Sequence, residues 1–125
     1  MIRGLFCGVS EYRANQQLPY CINDAKKMKE VFMENLVCSD DSIVVLAKDG
    51  RIENSEYIRE LVRFSENCTE EDIAVVYYSG HGGIDERGDN YLYATNTFDG
   101  NDMTCVYFDA VSYTHLRAHE TDQYL

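Results

Sequence analysis

Three short apolar runs alternate with two amphipathic helical patterns between the N-terminus and Ser79, and this alternation constrains the fold most. The runs have the length and the β-branched or aromatic content of strands, and they read IRGLFCGV, SIVVLA and DIAVVYYS. A β-α-β-α-β order implies right-handed crossovers and a parallel sheet with both faces covered by helices. The sequence therefore predicts an α/β protein.

Each of the two helical patterns has an apolar face, and the second also has a predicted N-terminal cap. The first runs from about Cys21 to Leu36, and its apolar residues share one face: Ile22, Ala25, Met28, Phe32 and Leu36. In the second, Ser55 is the predicted cap. The predicted buried face of that helix comprises Ile58, Leu61, Val62 and Ser65. After the third strand, the pattern predicts an extended segment at Tyr91 to Thr95 and a turn at Asp99 and Gly100.

Length and charge limit the function classes. A chain of 125 residues matches one ordinary domain. No apolar run approaches the roughly 20 residues that span a bilayer. The chain has 22 acidic and 11 basic residues and a formal net charge of −11, which repels nucleic-acid phosphates and anionic lipids. We therefore expect no nucleic-acid or membrane partner; the charge either attracts basic peptides or simply maintains solubility.

Five cysteines are widely spaced and never form a CxxC pair. An odd number without metal-ligand spacing argues against a zinc site and against a disulfide framework. We therefore expect a cytoplasmic protein that uses no metal or other cofactor.

The third apolar run stops at a histidine enclosed by glycines, in the stretch SGHGG. His81 follows the end of a predicted parallel strand, the place where such sheets bind their ligands. A histidine there can transfer protons, ligate a metal or form a structural hydrogen bond. Because no second histidine or cysteine is near it in the sequence, a zinc site is disfavoured.

The flanking glycines bear on the same choice. Without Cβ atoms, Gly80, Gly82 and Gly83 permit positive φ angles and let a substrate backbone approach. The Gly82 amide would be free to bind a developing oxyanion. The structural alternative is a tight turn with no catalytic role.

Three motifs together resemble the caspase/metacaspase superfamily of cysteine endopeptidases, nearer to the metacaspases than to animal caspases. They are YYSGHGG after a buried strand, LPYCINDAKKM at a helix start and NYLYAT after the histidine. The resemblance extends from about Arg3 to Phe98. It implies a caspase-like three-layer α/β/α sandwich with a mostly parallel sheet, of which this chain supplies part. It also implies that a cysteine thiolate attacks a peptide carbonyl while a histidine transfers protons.

Carried over residue by residue, the resemblance makes His81 the catalytic histidine and Gly82 an oxyanion-hole donor. Cys21, Asp24 and Ser79 would lie around the pocket for the residue before the scissile bond. Metacaspase-type enzymes cut after arginine or lysine, and a carboxylate is the simplest receptor for a basic side chain. Structural alternatives remain for all three: a small buried residue, a carboxylate favoured by the helix dipole and a turn hydroxyl.

The expected nucleophile is missing. In caspase-type enzymes the cysteine follows the histidine by about 50 residues, which lies beyond Leu125. Where the family has Asp-x-Cys, the stretch YFDAVSYT has Asp109, Ala110 and then Val111. Either the motif is degenerate or the chain ends before the true one; the short spacing from His81 favours truncation. Cys105 lacks the motif's aspartate, and we expect it to be buried.

The last stretch, VSYTHLRAHET, resembles a peptide found at the ends of unrelated sequences and translated from sequencing-adapter DNA. We therefore predict a caspase-like peptidase domain at residues 1–110 and a tail at 111–125 that is not native to it. His115 and His119 could ligate a metal from one helical face, but a foreign or disordered tail is the favoured interpretation.

The leading hypothesis is the histidine-bearing part of a metacaspase-like cysteine endopeptidase that cleaves after Arg or Lys and is inactive as given. Its partners would be peptides or proteins with basic residues. The alternative is a non-catalytic caspase-like module that binds a partner protein. A nucleotide-binding doubly wound domain is disfavoured, because the turn after the first strand, CGVSEYRANQQ, has a single glycine.

Overall fold

A computed structural model describes residues 1–35, 38–98 and 105–107. The predicted order of five elements is confirmed, and a second small sheet follows it. The elements are β1 (Ile2–Gly8), α1 (Cys21–Asn35), β2 (Ile43–Leu46), α2 (Asn54–Asn67), β3 (Ile73–Ser79), β4 (Gly82–Ile84), β5 (Asn90–Leu92) and β6 (Val106–Tyr107). A short 3-10 turn, Asp40–Ser42, precedes β2.

The first sheet is parallel and has the order β2-β1-β3. β1 is central, and its residues from Gly4 to Gly8 are buried. Gly8 pairs with Ser79, so β1 and β3 end at the same level. The segments that leave these two strands therefore begin side by side at the carboxyl edge of the sheet.

The helices cover opposite faces of this sheet, as expected for three layers. On the α1 face, the buried cluster comprises Phe6, Ala25, Ile43 and Val45, with Ile22, Met28 and Phe32 packed against it. On the α2 face, the buried cluster includes Leu5, Cys7, Val9, Tyr57, Leu61 and Phe64. The predicted apolar face of α1 is confirmed except at Leu36, which lies outside the described residues.

The predicted cap of α2 is wrong. The helix begins at Asn54, one residue before Ser55, which is exposed. The backbone N–H of Asn54 donates instead to Oδ1 of Asn96, at 2.8 Å. The buried face is also turned relative to the prediction and comprises Tyr57, Leu61, Phe64 and Ser65.

The second sheet is antiparallel, with the order β4-β5-β6. The predicted extended segment is confirmed only at Tyr91 and Leu92, and the glycine-rich β4 was not predicted. Cys105 is buried as expected, 5% exposed. The expectations for residues 99–100 and 109–125 fall outside the described residues. In the described part of the chain, no helix is long and apolar enough to cross a membrane.

Candidate functional site

The start of α1 lies against the carboxyl end of β1. A Cβ atom at Gly8 would overlap the backbone carbonyl of Cys21, so only glycine allows this approach. Ser79 pairs with Gly8. The three chain segments at this edge therefore place the predicted residues of β3 and α1 together.

Asp24 and Ser79 are joined by a hydrogen bond although they are far apart in the sequence. The Ser79 hydroxyl donates to Oδ2 of Asp24 at 2.9 Å, and the Asp24 side chain is exposed. The N–H of Ile22, in the first turn of α1, donates to the buried hydroxyl of Ser10 at 3.0 Å. Ser10 therefore supplies the side-chain cap of α1, and the hydrogen bond of the Asp24 carboxylate goes to β3.

Cys21 lies at the first position of α1 and is 8% exposed. Its burial agrees with the structural alternative raised for it, a small buried residue at a close contact. Its position, one helical turn before Asp24, is also adjacent to the Asp24–Ser79 pair.

The His81 ring is oriented by the loop between β1 and α1. Nε2 lies 2.8 Å from the backbone carbonyl oxygen of Gln16. A carbonyl can only accept, so Nε2 carries a proton and Nδ1 of the neutral ring carries the lone pair. The ring of Tyr12 packs edge-on against the imidazole, with centroids 4.6 Å apart.

Two tyrosine hydroxyls hold the backbone of His81. The N–H of His81 donates to the Tyr12 hydroxyl at 2.9 Å. The Tyr78 hydroxyl faces two carbonyl oxygens, those of His81 and Tyr93, each at 2.7 Å. Burial raises the pKa of both hydroxyls, so both remain protonated near neutral pH. The main chain is thus held on both sides of the imidazole.

The glycines around His81 do not adopt the positive φ angles that glycine permits. The positive-φ glycines among the described residues are Gly50 and Gly88. A Cβ at Gly80 would overlap the hydroxyls of Tyr12 and Tyr78, and one at Gly83 would overlap the Tyr91 ring. These two glycines make room for tyrosines, which is a reason the sequence did not reveal.

Gly82 lies in β4 opposite Leu92 and is exposed. The N–H of Tyr93 donates to the His81 carbonyl at 3.0 Å, which makes Gly82 and Leu92 a non-hydrogen-bonded pair. The Gly82 N–H therefore points away from β5. An outward amide one residue after the histidine suits an oxyanion donor.

A groove of about 500 Å³ lies between β3 and the β4–β5 pair. Its lining includes Val76 and Tyr78 of β3, Gly80, Gly82 and Tyr91. The groove therefore reaches the glycine-rich segment that carries His81.

Four of the five cysteines are buried, and Cys38 is of intermediate exposure. Burial raises the pKa of the Cys7 thiol to about 12 and also raises that of Cys68. Cys105 is buried beside β6. A buried thiol of raised pKa is a poor nucleophile, so Cys7 and Cys68 are structural. Across the described residues, no group of three or more His, Cys, Asp or Glu side chains is placed to hold a metal ion.

Sequence reasoning missed Tyr12, Gln16 and Tyr78. Tyrosines adjacent to or within site segments are a weak signal, because tyrosine is also common in cores. Gln16 acts through its carbonyl, which every residue type has, so no residue pattern could have identified it.

Comparison with known proteins places the chain in a family. Residues 2–124 match the family described as "Metacaspase, peptidase C14 domain". Metacaspase-1 of Arabidopsis thaliana is 32% identical over 112 residues, which cover 86% of this chain and 29% of that protein. Metacaspase-3 of the same plant is 31% identical over 105 residues, 80% of this chain and 28% of that protein.

A yeast protein, Metacaspase-1 of Debaryomyces hansenii, is 32% identical over 87 residues, which cover 66% of this chain and 20% of that protein. The chain thus spans less than a third of the length of each of these relatives. Because the family match covers nearly all of its residues, the chain belongs to the metacaspase family and corresponds to its peptidase C14 domain.

Proposed function

We propose that this chain is the histidine-bearing part of a cysteine endopeptidase that cleaves after arginine or lysine. The observation that carries the proposal is the orientation of His81. Its Nε2 faces the Gln16 carbonyl at 2.8 Å, which leaves Nδ1 as the basic atom of the neutral ring.

In the proposed reaction, Nδ1 of His81 accepts the proton of a cysteine thiol, and the thiolate attacks the peptide carbonyl carbon. The resulting imidazolium donates from Nε2 to the Gln16 carbonyl, which stabilises its positive charge. When the C–N bond breaks, Nδ1 returns the proton to the leaving amine. Water, deprotonated in turn by Nδ1, then hydrolyses the thioester and restores the thiol.

Gly82 is the proposed oxyanion donor. Its N–H is directed away from β5, next to the imidazole, where the carbonyl oxygen of a bound peptide would acquire negative charge. The hydrogen bonds of the two tyrosine hydroxyls fix the main chain just before this amide.

Asp24 is the proposed receptor for the basic side chain, within a pocket to which Cys21 and Ser79 also contribute. The Ser79 hydroxyl fixes one carboxylate oxygen, and the exposed carboxylate can pair with a guanidinium or ammonium group. The net charge of −11 favours the approach of basic peptides.

The chain as given is proposed to be inactive. The orientation of His81 supports its proposed acid–base role, but Cys7 and Cys68 are buried with raised pKa values, and Cys105 is buried. Residues 1–110 are the proposed native domain. The cytoplasm is the proposed location, because none of the five cysteines, all of which lie in the described residues, forms a disulfide.

The test compares this chain with the full-length protein that contains it, using peptides that differ only in the residue before the cut. We expect the full-length protein to cleave after Arg and Lys and this chain to release no product above background. Cleavage by this chain that is lost in Cys105→Ser or His81→Ala would overturn the inactivity proposal.

Specificity is tested with Asp24→Ala in the full-length protein. The ratio of kcat/KM for Arg over a neutral residue should fall by about 10- to 100-fold, the value of a charged hydrogen bond. Glu30→Ala is the matched control, since it removes an exposed acid from the same helix. An unchanged ratio with a lower melting temperature would reduce Asp24 to a helix-start residue.

The alternative function, a protein-binding module, predicts a different outcome. The full-length protein would then cleave none of the peptides, and His81→Ala would change nothing measurable in that assay.

A further inference from the structure

The loop between β1 and α1 carries a side chain that the proposed reaction has not used. Gln17 is exposed, yet its amide group is fully engaged within the loop. Its Oε1 accepts the N–H of Tyr12 at 3.1 Å, and its Nε2 donates to the Tyr12 carbonyl. Nε2 also lies 3.3 Å from the carbonyl oxygen of Asn15. The side chain thus binds both backbone groups of one residue, as a neighbouring strand would.

The hydrogen bonds of the Gln17 amide to Tyr12 and Asn15, called the clasp below, join the two parts of the loop that contact His81. Tyr12, at one end, receives the His81 N–H on its hydroxyl and packs its ring on the imidazole. Gln16, next to Gln17 at the other end, presents its carbonyl to Nε2. The amide of Gln17 therefore fixes the distance between the two groups that hold the histidine.

The rest of the loop is tied to the body of the protein at other points. The N–H groups of Ser10 and Glu11 donate to the Gly50 carbonyl, and the N–H of Arg13 donates to the Thr95 carbonyl. The Asn15 side chain donates to the Thr97 carbonyl at 2.9 Å. The N–H of Leu18 donates to the Ser10 carbonyl at 2.9 Å. Between these anchors at Asn15 and Leu18, the Gln17 amide makes the side-chain hydrogen bonds nearest to the Gln16 carbonyl, so we expect it to contribute to the orientation of that carbonyl.

We infer that Gln17 is a positioning residue, whose side-chain amide sets the Gln16 carbonyl and thereby selects the Nε2–H tautomer of His81. The inference rests on the proposed function for its catalytic consequence, but not for its structural one. Gln17 touches neither Nδ1 nor the Gly82 amide, and its effect passes through the loop backbone.

The structural consequence is measured on the chain as it exists, by nitrogen NMR of the imidazole rings. The His81 signals are identified by their loss in His81→Gln. Wild type should show protonated Nε2 and unprotonated Nδ1 in the neutral ring. Gln17→Ala should reduce this preference to a mixture of tautomers. Gln16→Ala is the matched control: it removes the neighbouring side chain and keeps the carbonyl, so it should retain the wild-type tautomer.

A second substitution at Gln17 separates a loss of the tautomer preference from a loss of folding. Gln17→Glu keeps an acceptor for the Tyr12 N–H but places a carboxylate oxygen against the Tyr12 carbonyl, so it should also lose the tautomer preference. Circular dichroism should show both Gln17 variants folded, since the side chain is exposed. Retention of the wild-type tautomer in both, or equal loss in Gln16→Ala, overturns the inference.

The catalytic consequence is measured in the full-length protein. Gln17→Ala should lower kcat by about 10- to 100-fold, as a misplaced catalytic group does, with KM within about twofold. Glu11→Ala, which removes an exposed side chain of the same loop that pairs with Arg51, should leave both constants near wild type. A rise in KM at unchanged kcat would assign Gln17 to substrate binding and overturn the inference. If His81→Ala cleaves normally while the tautomer results hold, the proposed function fails and the structural part of this inference stands.

Discussion

The parallel and antiparallel sheets are stabilised in different ways. In the parallel sheet, the central strand β1 is buried from Gly4 to Gly8 between two helices. In the antiparallel sheet, strands of two or three residues remain largely exposed or half-buried, and Ile84 of β4 is 66% exposed. Burial of apolar surface stabilises the first sheet, while hydrogen bonds to its neighbour and stacked tyrosines position the second.

His81 lies in the link between these sheets, after β3 and before β4. The parallel sheet supplies Tyr78, and the antiparallel sheet begins at Gly82, the proposed oxyanion donor. The comparison indicates that the parallel sheet positions the backbone before His81, while pairing within the antiparallel sheet sets the direction of the Gly82 N–H after it. Substitutions can separate the two contributions.

The largest effect is expected at the link itself. His81→Ala in the full-length protein should lower kcat/KM for an Arg peptide by about 10²- to 10⁴-fold, because the proposed general base is lost. The same substitution in this chain should change its urea midpoint little, since the side chain is only half-buried. A large loss of stability without loss of cleavage would make His81 a structural residue.

Glycine-to-alanine substitutions compare the sheets directly. Gly8→Ala drives a Cβ into the backbone of Cys21, which cannot move without shifting α1. We expect a loss of about 3 kcal/mol in the free energy of unfolding. Gly83→Ala meets the far end of the Tyr91 side chain, which can swing away, so about 1 kcal/mol or less is expected. Equal losses of unfolding free energy, measured by urea unfolding, would contradict this difference in packing between the two glycines.

Acid should weaken the amino edge of the parallel sheet. The Thr69 N–H, at 2.9 Å, and Arg3 hold the pKa of the buried Asp72 carboxyl at about 2, against about 4 in an unfolded chain. Because the folded pKa is the lower one, its contribution to stability is present above about pH 4 and is lost as the pH falls towards 2.

The corresponding experiment follows the melting temperature between pH 6 and about pH 2. Asp72→Asn should flatten this dependence, whereas Asp41→Asn, at an exposed acid, should preserve it. If both variants melt in parallel with wild type at every pH, the assignment to Asp72 is wrong.

The smallest change in the free energy of unfolding is expected from removing the hydroxyls of two stacked tyrosines, Tyr57 and Tyr78. Tyr78→Phe removes the hydroxyl that binds the His81 and Tyr93 carbonyls and should cost about 1–3 kcal/mol. The Tyr57 hydroxyl is buried and has no hydrogen-bond partner within the described residues. Tyr57→Phe should therefore change the free energy of unfolding by about 0.5 kcal/mol or less, or increase it. A larger loss in Tyr57→Phe than in Tyr78→Phe would contradict this contrast.

The sequence predicted the parallel sheet because its signals are local. The apolar runs and the helical spacing of Ala25 and Met28 report burial within a few residues of chain, and each bound of the three strands differs from the predicted one by at most one residue. The proximity of Asp24 and Ser79 was implied by the family resemblance, and the two side chains are joined by a hydrogen bond. The roles assigned to the site residues stay predictions.

The structural features that the sequence did not predict depend on contacts between segments that are distant in the chain. The strand β4 consists of two glycines and an isoleucine and has no local strand signal. Asn96 binds the first amide of α2 across 42 residues, so Ser55 was the better local candidate and the wrong one. The reason for Gly80 lies in the hydroxyls of Tyr12 and Tyr78, only one of them close in the sequence.

The distant capping of both helices couples them to the site in folding. The first-turn amide of α1 at Ile22 is bonded by Ser10, and that of α2 at Asn54 by Asn96. Neither helix start can be completed by residues of its own helix. Both are completed only when the loop between β1 and α1 and the segment after β5 dock. In hydrogen exchange these two amides should behave as members of the global unfolding unit, with none of the fraying usual at helix ends.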